Sequence, residues 1–236
     1  MALLGDAAIA MWADFVPEIV PELGDWHTHE HMPERLGIPG FLRGTRWSGG
    51  GAGASHFIMY ELESLEVFSS QAYLERLNQP TPWSRKLTPH HRNMVRTACQ
   101  VAGSAGAGVG AALLTVRFSP RPGEADRLRV RLVDTVLPEL ARRPGLAAAN
   151  LLVAQPQVMP PQTEEQRMRG GDAMADWVLL VHGYDGAVAA KLPNDELGAA
   201  ALAGHGAAPG AVAGTYCLDF ALTNVDLRAP PSGRMA

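Results

Sequence analysis

The sequence predicts an α+β fold in which two tandem ferredoxin-like βαββαβ repeats form a single-chain, pseudo-dimeric α/β barrel. Two observations predict it. Residues 33–41 and 138–146 share Pro-Glu followed, at the same spacing, by Pro-Gly and an apolar residue. Strand-like and helix-like segments also follow one another in the same order around both copies. Each ferredoxin-like sheet has one uncovered apolar face, so packing two copies face to face buries it.

The first repeat is assigned to residues 1–108. Pro39-Gly40 ends its first helix, and a glycine-rich turn at 49–53 separates two strands. An approximate helical stripe of apolar residues predicts the second helix. The elements, in order, are a strand at 7–15, a helix at 17–36, strands at 41–47 and 56–61, a helix at 65–78, a proline-rich loop at 80–89 and a strand at 95–102.

The second repeat is assigned to residues 109–236. A Gly/Ala/Ser run at 103–108 is typical of a flexible joint and predicts the boundary. The same order of segments follows this run. The elements are strands at 109–118, 146–154, 177–183 and 212–222, helices at 124–143 and 186–203, and a polar loop at 155–175.

The composition limits the class of protein. Of 236 residues, 47% are hydrophobic and 19% charged, which is typical of a folded chain with a core. The formal net charge is −4 and no long basic cluster occurs, so we expect no nucleic-acid partner. No apolar stretch reaches the ~18–20 residues of a membrane span, so we expect no membrane partner. With only two cysteines, the sequence predicts a cytoplasmic protein.

The densest polar cluster lies at residues 25–35. On an α-helix, His27, Glu30, His31 and Glu34 would share one face, next to Trp26. Four ionisable groups on one face are not an ordinary core stripe. A proline at position 33 disturbs this periodicity, because its nitrogen cannot donate the helical hydrogen bond.

Three interpretations of this cluster stay open. His27, Glu30 and His31 match the inverted zinc-protease motif H-x-x-E-H, which predicts a divalent-metal site but is too short to be specific. Glu30 and His31 could instead perform metal-free acid–base work, with Arg35, Arg43 or Arg46 holding a carboxylate or enolate oxygen. In the third interpretation the group is a structural network that pins the helix to the sheet.

The internal repeat distinguishes function from folding. Aligning the copies on Pro-Glu places Leu132 opposite His27, Thr135 opposite Glu30 and Val136 opposite His31. A residue needed for the fold is useful in both copies, whereas a residue needed for a site can be lost from one. The comparison therefore favours a functional role for Glu30 and His31.

A second polar cluster follows at residues 80–96. Two prolines beside Trp83 indicate a fixed loop that could wall a pocket. The basic residues after it could attract an anion, although a surface loop with a half-buried tryptophan explains the pattern equally well. These basic residues are Arg85, Lys86, His90, His91, Arg92 and Arg96.

A set of short motifs carries a family resemblance. They are Trp26, Glu30-His31, Pro33-Glu34-Arg35, Pro39-Gly40-Phe41, residues 57–63, Pro80-Thr81-Pro82-Trp83 and Arg92-Asn93-Met94. With them the chain resembles uncharacterised proteins of the dimeric α/β-barrel superfamily, which are similar to the EthD-like and antibiotic-biosynthesis-monooxygenase groups. The resemblance spans the whole chain, the second half by pattern more than by motif.

The resemblance implies a cleft between helices and sheet that takes small organic ligands. The superfamily includes cofactor-independent monooxygenases, lactone isomerases, polyketide cyclases and haem-degrading enzymes, so membership fixes no single reaction. It implies that Glu30 and His31 line the cleft. His27 departs from the aromatic residue that relatives would place there, which weakens the zinc interpretation. No axial haem ligand can be assigned.

We therefore predict a protein that binds an aromatic, lactone or polyketide-like molecule in its first half, as an isomerase, cyclase or monooxygenase that needs no cofactor. His31 is the predicted proton-transfer residue and Glu30 its partner, with no metal. A non-catalytic binding or structural protein and a divalent-metal enzyme using His27 and His31 are the alternatives. A homodimer is possible through sheet edges and barrel rims. The predicted substrate contacts are Trp26, His27, Arg46 and Trp83.

Overall fold

The computed structural model describes residues 3–51, 53–160 and 162–227. Position 52 of the predicted turn and position 161 of the predicted polar loop lie outside the described residues. So do the first two residues and residues 228–236, which the sequence assigned to the second repeat.

The described residues form one closed, antiparallel, eight-stranded barrel with the strand order β1-β3-β2-β8-β5-β7-β6-β4. This confirms the predicted fold class. The strands are β1 Ala7–Asp14, β2 Phe41–Gly49, β3 His56–Leu62, β4 Arg92–Gly106, β5 Ala112–Phe118, β6 Leu146–Ala154, β7 Trp177–Gly183 and β8 Val212–Thr223.

The barrel consists of two ferredoxin-like sheets. The first has the order β4-β1-β3-β2 and the second the matching order β8-β5-β7-β6. Two equivalent junctions, β2 with β8 and β4 with β6, join the sheets into a ring. The expectation of a homodimer depended partly on free sheet edges. Closure of the ring pairs these edges within the chain. The exact boundary at residue 108 stays a prediction.

The helices lie outside the barrel, and they depart from the prediction in detail. The predicted loops at 80–89 and 155–175 each contain a short helix that begins at a threonine cap, Thr81 or Thr163, whose hydroxyl accepts a backbone N–H. No helix in the described ranges is long and apolar enough to cross a membrane. The helices are α1 Val20–Trp26, α2 Met32–Leu36, α3 Gln71–Asn78, α4 Pro82–Leu87, α5 Ala125–Arg131, α6 Leu137–Arg142, α7 Glu164–Arg169, α8 Gly186–Lys191 and α9 Ala199–His205, with 3-10 turns at Pro17–Ile19, Leu65–Ser69, Thr88–His90, Pro156–Val158 and Leu192–Asn194.

A π turn interrupts the long helix of each half at equivalent positions. His27–His31 separates α1 from α2, and Leu132–Val136 separates α5 from α6. Each turn closes with an N–H that reaches back five residues, just before Pro33 or Pro138. A proline ring would collide with the carbonyl four residues earlier in an α-helix, and the wider turn relieves this contact. The recurrence supports the internal repeat as a structural one.

Three apolar layers hold the molecule together. Trp12, Trp47 and Phe57 belong to the layer inside the barrel. A second layer packs the first-half helices on their sheet, and a third does so in the second half. Full burial of one such side chain contributes about 1.5–3 kcal/mol, so these layers dominate stability.

Candidate functional site

A cavity of about 50 Å³ lies in the first half, between the helix layer and the sheet. It is the size of one or two water molecules. Apolar side chains of β1, β3 and α3 line part of it, including Ile9, Ile58 and Leu77. Histidine, tyrosine, arginine and glutamate side chains line the rest. The cavity is therefore an apolar space with convergent polar groups, which is typical of a small-molecule site.

The π turn places three predicted site residues against this cavity. Trp26, His27 and His31 all line it, and the His27 and His31 ring centroids are 5.6 Å apart. The Trp26 and His31 rings stack at 4.4 Å with an angle of 34°. A π turn holds more residues than an α turn, so positions i and i+4 stay on one face while i+3 turns away. Glu30 is that i+3 residue.

Both histidines are held neutral. Burial lowers the pKa of His31 well below its usual value, and the Arg35 cation adds to this effect. Burial also lowers the pKa of His27, with Arg46 the next contributor. Neither Nδ1 atom has a hydrogen-bond partner among the described residues. His27 Nε2 shares a hydrogen bond of 3.2 Å with the hydroxyl of Tyr60, a phenol whose pKa burial raises.

Three arginines surround the cavity. Arg35 forms a buried ion pair with Glu165. Burial by itself would lower the pKa of Arg35, but Glu165, together with the smaller effects of Tyr73 and Glu34, outweighs burial and the pKa is raised. Arg169 donates two hydrogen bonds to Asp172, at 2.6 and 2.7 Å. The third arginine, Arg96, donates to the Tyr73 hydroxyl.

The second half covers this first-half cavity. The connection between β6 and β7, residues 155–176, is sixteen residues longer than the equivalent connection between β2 and β3. We call it the cover segment. It supplies Glu165 and Arg169 to the cavity. Ala173 ties it to the edge of the first half, since its carbonyl accepts the Arg96 N–H and its N–H donates to the Met94 carbonyl.

The equivalent positions of the second half are aliphatic. Strand pairing and helix register align five polar cavity residues with five apolar ones, all of which belong to the second-half core or pack against it. The same scaffold therefore exists without these polar groups. The aligned pairs are His27 with Leu132, His31 with Val136, Arg35 with Leu140, Tyr60 with Val181 and Arg96 with Ala213.

Three other predicted site residues lie away from the cavity. Glu30 accepts a hydrogen bond of 2.5 Å from the Thr81 hydroxyl at the start of α4. Arg46 donates to the Gly24 carbonyl and the Thr28 hydroxyl, both at 3.1 Å.

Trp83 donates to Glu22 at 3.1 Å on the outer side of α4. None of the three lines the cavity. Their contacts join the helices to one another and to the barrel.

Several lining residues were not singled out as site residues by the sequence. Tyr60 and Tyr73 occur in apolar segments that predict ordinary core. Glu165 lies in a segment distant in sequence that was predicted to be a loop, so only the three-dimensional fold brings it to Arg35. Arg96 appeared in the predicted anion-attracting cluster, and a charged residue within an apolar strand was the available signal.

The described residues contain no group of three or more His, Cys, Asp or Glu side chains able to hold a metal ion. His27 and His31 lack a third donor because Glu30 points to Thr81. The residues described here therefore do not match the predicted H-x-x-E-H metal site.

Solved structures share this fold. An anthrone oxidase-like protein matches with a TM-score of 0.63 and 16% identity, covering 92% of each chain. A candidate monooxygenase from Fusobacterium nucleatum matches with a TM-score of 0.59 and 9% identity over 94% of this chain and 96% of that one. A candidate monooxygenase from Lactobacillus acidophilus gives 0.57 and 7% over 93% and 97%. No family model and no curated protein matches the sequence.

Proposed function

We propose that this chain, which has the dimeric α/β-barrel fold, binds a small organic molecule in its first-half cavity and removes a proton from it with His31. One observation carries the proposal. The neutral, half-buried imidazole of His31 lines the cavity, and its buried Nδ1 has no hydrogen-bond partner among the described residues. The equivalent space in the second half is filled with aliphatic side chains. A scaffold that folds with Val136 at this position has no structural need for His31.

The proposed step is general-base catalysis. Neutral His31 accepts a proton from an acidic C–H, the C–H bond breaks, and its electron pair remains on the substrate as an enolate. The low pKa of His31 makes it a weak base in the empty site. An anion formed beside it raises that pKa, because an opposite charge favours the imidazolium. Trp26 and His27 are the proposed substrate contacts.

The comparisons support an oxygenase-type outcome. Two of the structural neighbours are candidate monooxygenases and a third is an anthrone oxidase-like protein. Reaction of the enolate of a methylene compound with O₂ would turn the methylene into a carbonyl. One oxygen atom stays in the product and the other leaves as water with the two hydrogens. An isomerase or cyclase would share the first proton transfer, and neither route requires a cofactor.

Ring-sized substrates need more space than the cavity offers. An engineered cavity that binds benzene has a volume of about 150 Å³, compared with about 50 Å³ here. Met11 and Met94 line the cavity, and their flexible side chains can repack. We propose that the cover segment also moves outward when a substrate enters. In this proposal the three predicted site residues outside the cavity have a supporting role. They hold the surrounding helices in place, and they are Glu30, Arg46 and Trp83.

Deuterium exchange tests the proton transfer. Anthrone is incubated with the protein in D₂O without oxygen, and exchange at its methylene is followed by mass spectrometry. We expect His31→Gln to slow this exchange by roughly 10²–10⁴-fold, the usual contribution of a general base. His29→Gln is the matched control, because His29 is exposed on the same turn. With oxygen admitted, anthraquinone formation and O₂ uptake should fall in parallel.

Two results would contradict the proposal. The first is exchange by His31→Gln at the wild-type rate, since another group would then be the base. The second is no acceleration by the wild-type protein with anthrone or smaller methylene ketones, which would favour a non-catalytic binding protein.

A further inference from the structure

We infer that Arg96 is an anion-binding residue and that the cavity takes a small organic oxyanion, a carboxylate or a phenolate carried on an apolar body. The inference deepens the proposed function by naming the ligand class. It also stands apart from that function, because binding of an anion does not require proton transfer by His31.

Arg96 is a buried charge with neutral partners. Its side chain lines the cavity and the residue is only 4% exposed. One terminal nitrogen donates to the Tyr73 hydroxyl, and the other lies 3.7 Å from Met159 Sδ. Within the described ranges no carboxylate lies within 4.0 Å of its guanidinium. An arginine is always protonated in a protein, so this charge is left without an opposite charge in contact.

The neighbouring carboxylates are already engaged. Glu165 pairs with Arg35, and Asp172 accepts two hydrogen bonds from Arg169. Glu34 also contacts Arg35, at 3.5 Å, and pairs with Arg76 as well. The four arginines Arg35, Arg76, Arg96 and Arg169 thus carry one positive charge more than the carboxylates of Glu34, Glu165 and Asp172. The excess positive charge lies at Arg96. The surrounding histidines do not offset it, because they are neutral or, if protonated, positive.

A buried cation without a counter-ion is costly to keep, and the fold does not require it. The equivalent position in the second half is Ala213, which pairs with Val116 as Arg96 pairs with Met11. Retention of Arg96 in the half that has the cavity is explained if a ligand supplies the missing negative charge. The guanidinium favours planar oxyanions, and the Tyr73 hydroxyl can donate a second hydrogen bond.

The other side chains of the cavity wall indicate that the part of the ligand beyond the oxyanion is apolar. Ile9, Ile58 and Leu77 face the space beside Arg96, so the body of the ligand is apolar. A wider groove shares His91, Met94 and Arg169 with the cavity, so the two spaces adjoin at these residues.

Isothermal titration calorimetry with two pairs of probes tests the inference. Acetate and acetamide are close to the present cavity in size, and benzoate and benzamide report on a ring-sized body. The two members of each pair have nearly the same size and shape and differ mainly in charge. We expect the wild-type protein to prefer the anion, and Arg96→Met to weaken binding of the anion by roughly 10–100-fold, as for loss of a charge-assisted hydrogen bond. Binding of the amides should change little.

Further variants separate the explanations. Arg96→Lys keeps the charge and should retain part of the anion preference. Arg117→Met is the matched control, since Arg117 stacks on Trp12 away from this cavity. His31→Gln should keep the preference for the anion over the amide, even though its proton transfer is lost. Failure of the proposed proton transfer would leave these binding results intact.

Unchanged binding of both anions by Arg96→Met, or a wild-type protein that binds amides as well as anions, would overturn the inference. The melting temperature of Arg96→Met shows whether a loss of binding is only a loss of folding. We expect it to equal or exceed the wild-type value, because an apolar residue replaces a buried charge. A variant that melts higher and binds the anion less well is the expected combination.

Discussion

At the residue scale, the buried ion pair between Arg35 and Glu165 links the two halves. Arg35 belongs to α2 of the first half, and Glu165 to α7 of the cover segment. The arginine is 3% exposed and the glutamate 7%. Each charge is stabilised mainly by the other, although Glu34 also lies 3.5 Å from Arg35, so removal of one partner costs more than removal of both.

We expect Glu165→Gln to lower the free energy of unfolding by up to about 3–5 kcal/mol, because it removes the main counter-charge of the buried Arg35 cation and leaves Glu34, at 3.5 Å, to offset it in part. The double variant Arg35→Leu with Glu165→Leu should be close to wild type in stability, since Leu140 fills the equivalent position of the second half. Urea unfolding of Glu165→Gln, Arg35→Leu and the double variant measures this. Equal losses from all three would show that the pair is not the source of the effect.

The sequence could predict part of the site at this scale. His27, His31 and Trp26 stand in a dense polar cluster, and the repeat showed that the second half dispenses with both histidines. The α-helical face that grouped Glu30 with them does not exist, because the π turn rotates Glu30 toward Thr81. A π turn depends on packing and on the following proline, and ordinary periodicity does not reveal it.

At the element scale, β4 shows how composition can mislead. The Gly/Ala/Ser run predicted as a joint at 103–108 begins as strand, and β4 continues to Gly106 against the alanine-rich β6. Gly103 lies under α6 and its π turn, where an added Cβ would be 2.5 Å from Val133 Cγ2. The glycine provides close helix–strand packing here and not flexibility.

A pair of glycine variants tests this interpretation. Gly103→Ala should lower the free energy of unfolding by about 1–3 kcal/mol, because the added methyl group overpacks the contact with Val133. Gly204→Ala should raise it by about 0.5–1 kcal/mol, since Gly204 lies within α9 with open space around its Cα. Chemical denaturation gives both values. If Gly103→Ala were neutral or stabilising, the result would support the earlier interpretation of this run as a flexible joint.

The two short helices that the sequence analysis placed in loops share one cause. Both α4 and α7 are six residues long, too short for a periodic apolar stripe. Their start signals, Thr81 before a proline and Thr163 three residues before Gln166, were present but stood in polar, proline-rich surroundings. What brings α7 over the cavity is long-range packing, which local sequence does not encode.

At the scale of the whole molecule, buried histidines couple stability to pH. Burial lowers the pKa of His91 and of His182 to about 4, and it lowers the pKa of His27 and His31 well below the usual value. His182 lies inside the barrel beside Trp47. In the unfolded chain these groups titrate near 6.5. Between pH 6.5 and 4 the unfolded chain therefore binds protons that the folded chain does not.

The free energy of unfolding should consequently fall as the pH falls through this window, by up to about 1.4 kcal/mol per pH unit for each such histidine. His182→Leu should reduce that slope by about one histidine's share and leave anion binding unaffected, because His182 is remote from the cavity. Urea unfolding at pH 7, 6, 5 and 4.5 provides the slope. A slope identical to wild type would contradict this, since it would mean that folding does not change the pKa of His182.

Joining both ferredoxin-like halves in one chain has an evolutionary consequence. In a symmetric assembly of two identical subunits every substitution appears twice, so a change that suits one subunit is imposed on the other. Here each change occurs once. One half could accumulate aliphatic side chains and a long extension, while the other kept costly ionised groups. Fusion thus allows two halves of the same fold to specialise, one as a stable support and the other as the proposed ligand site.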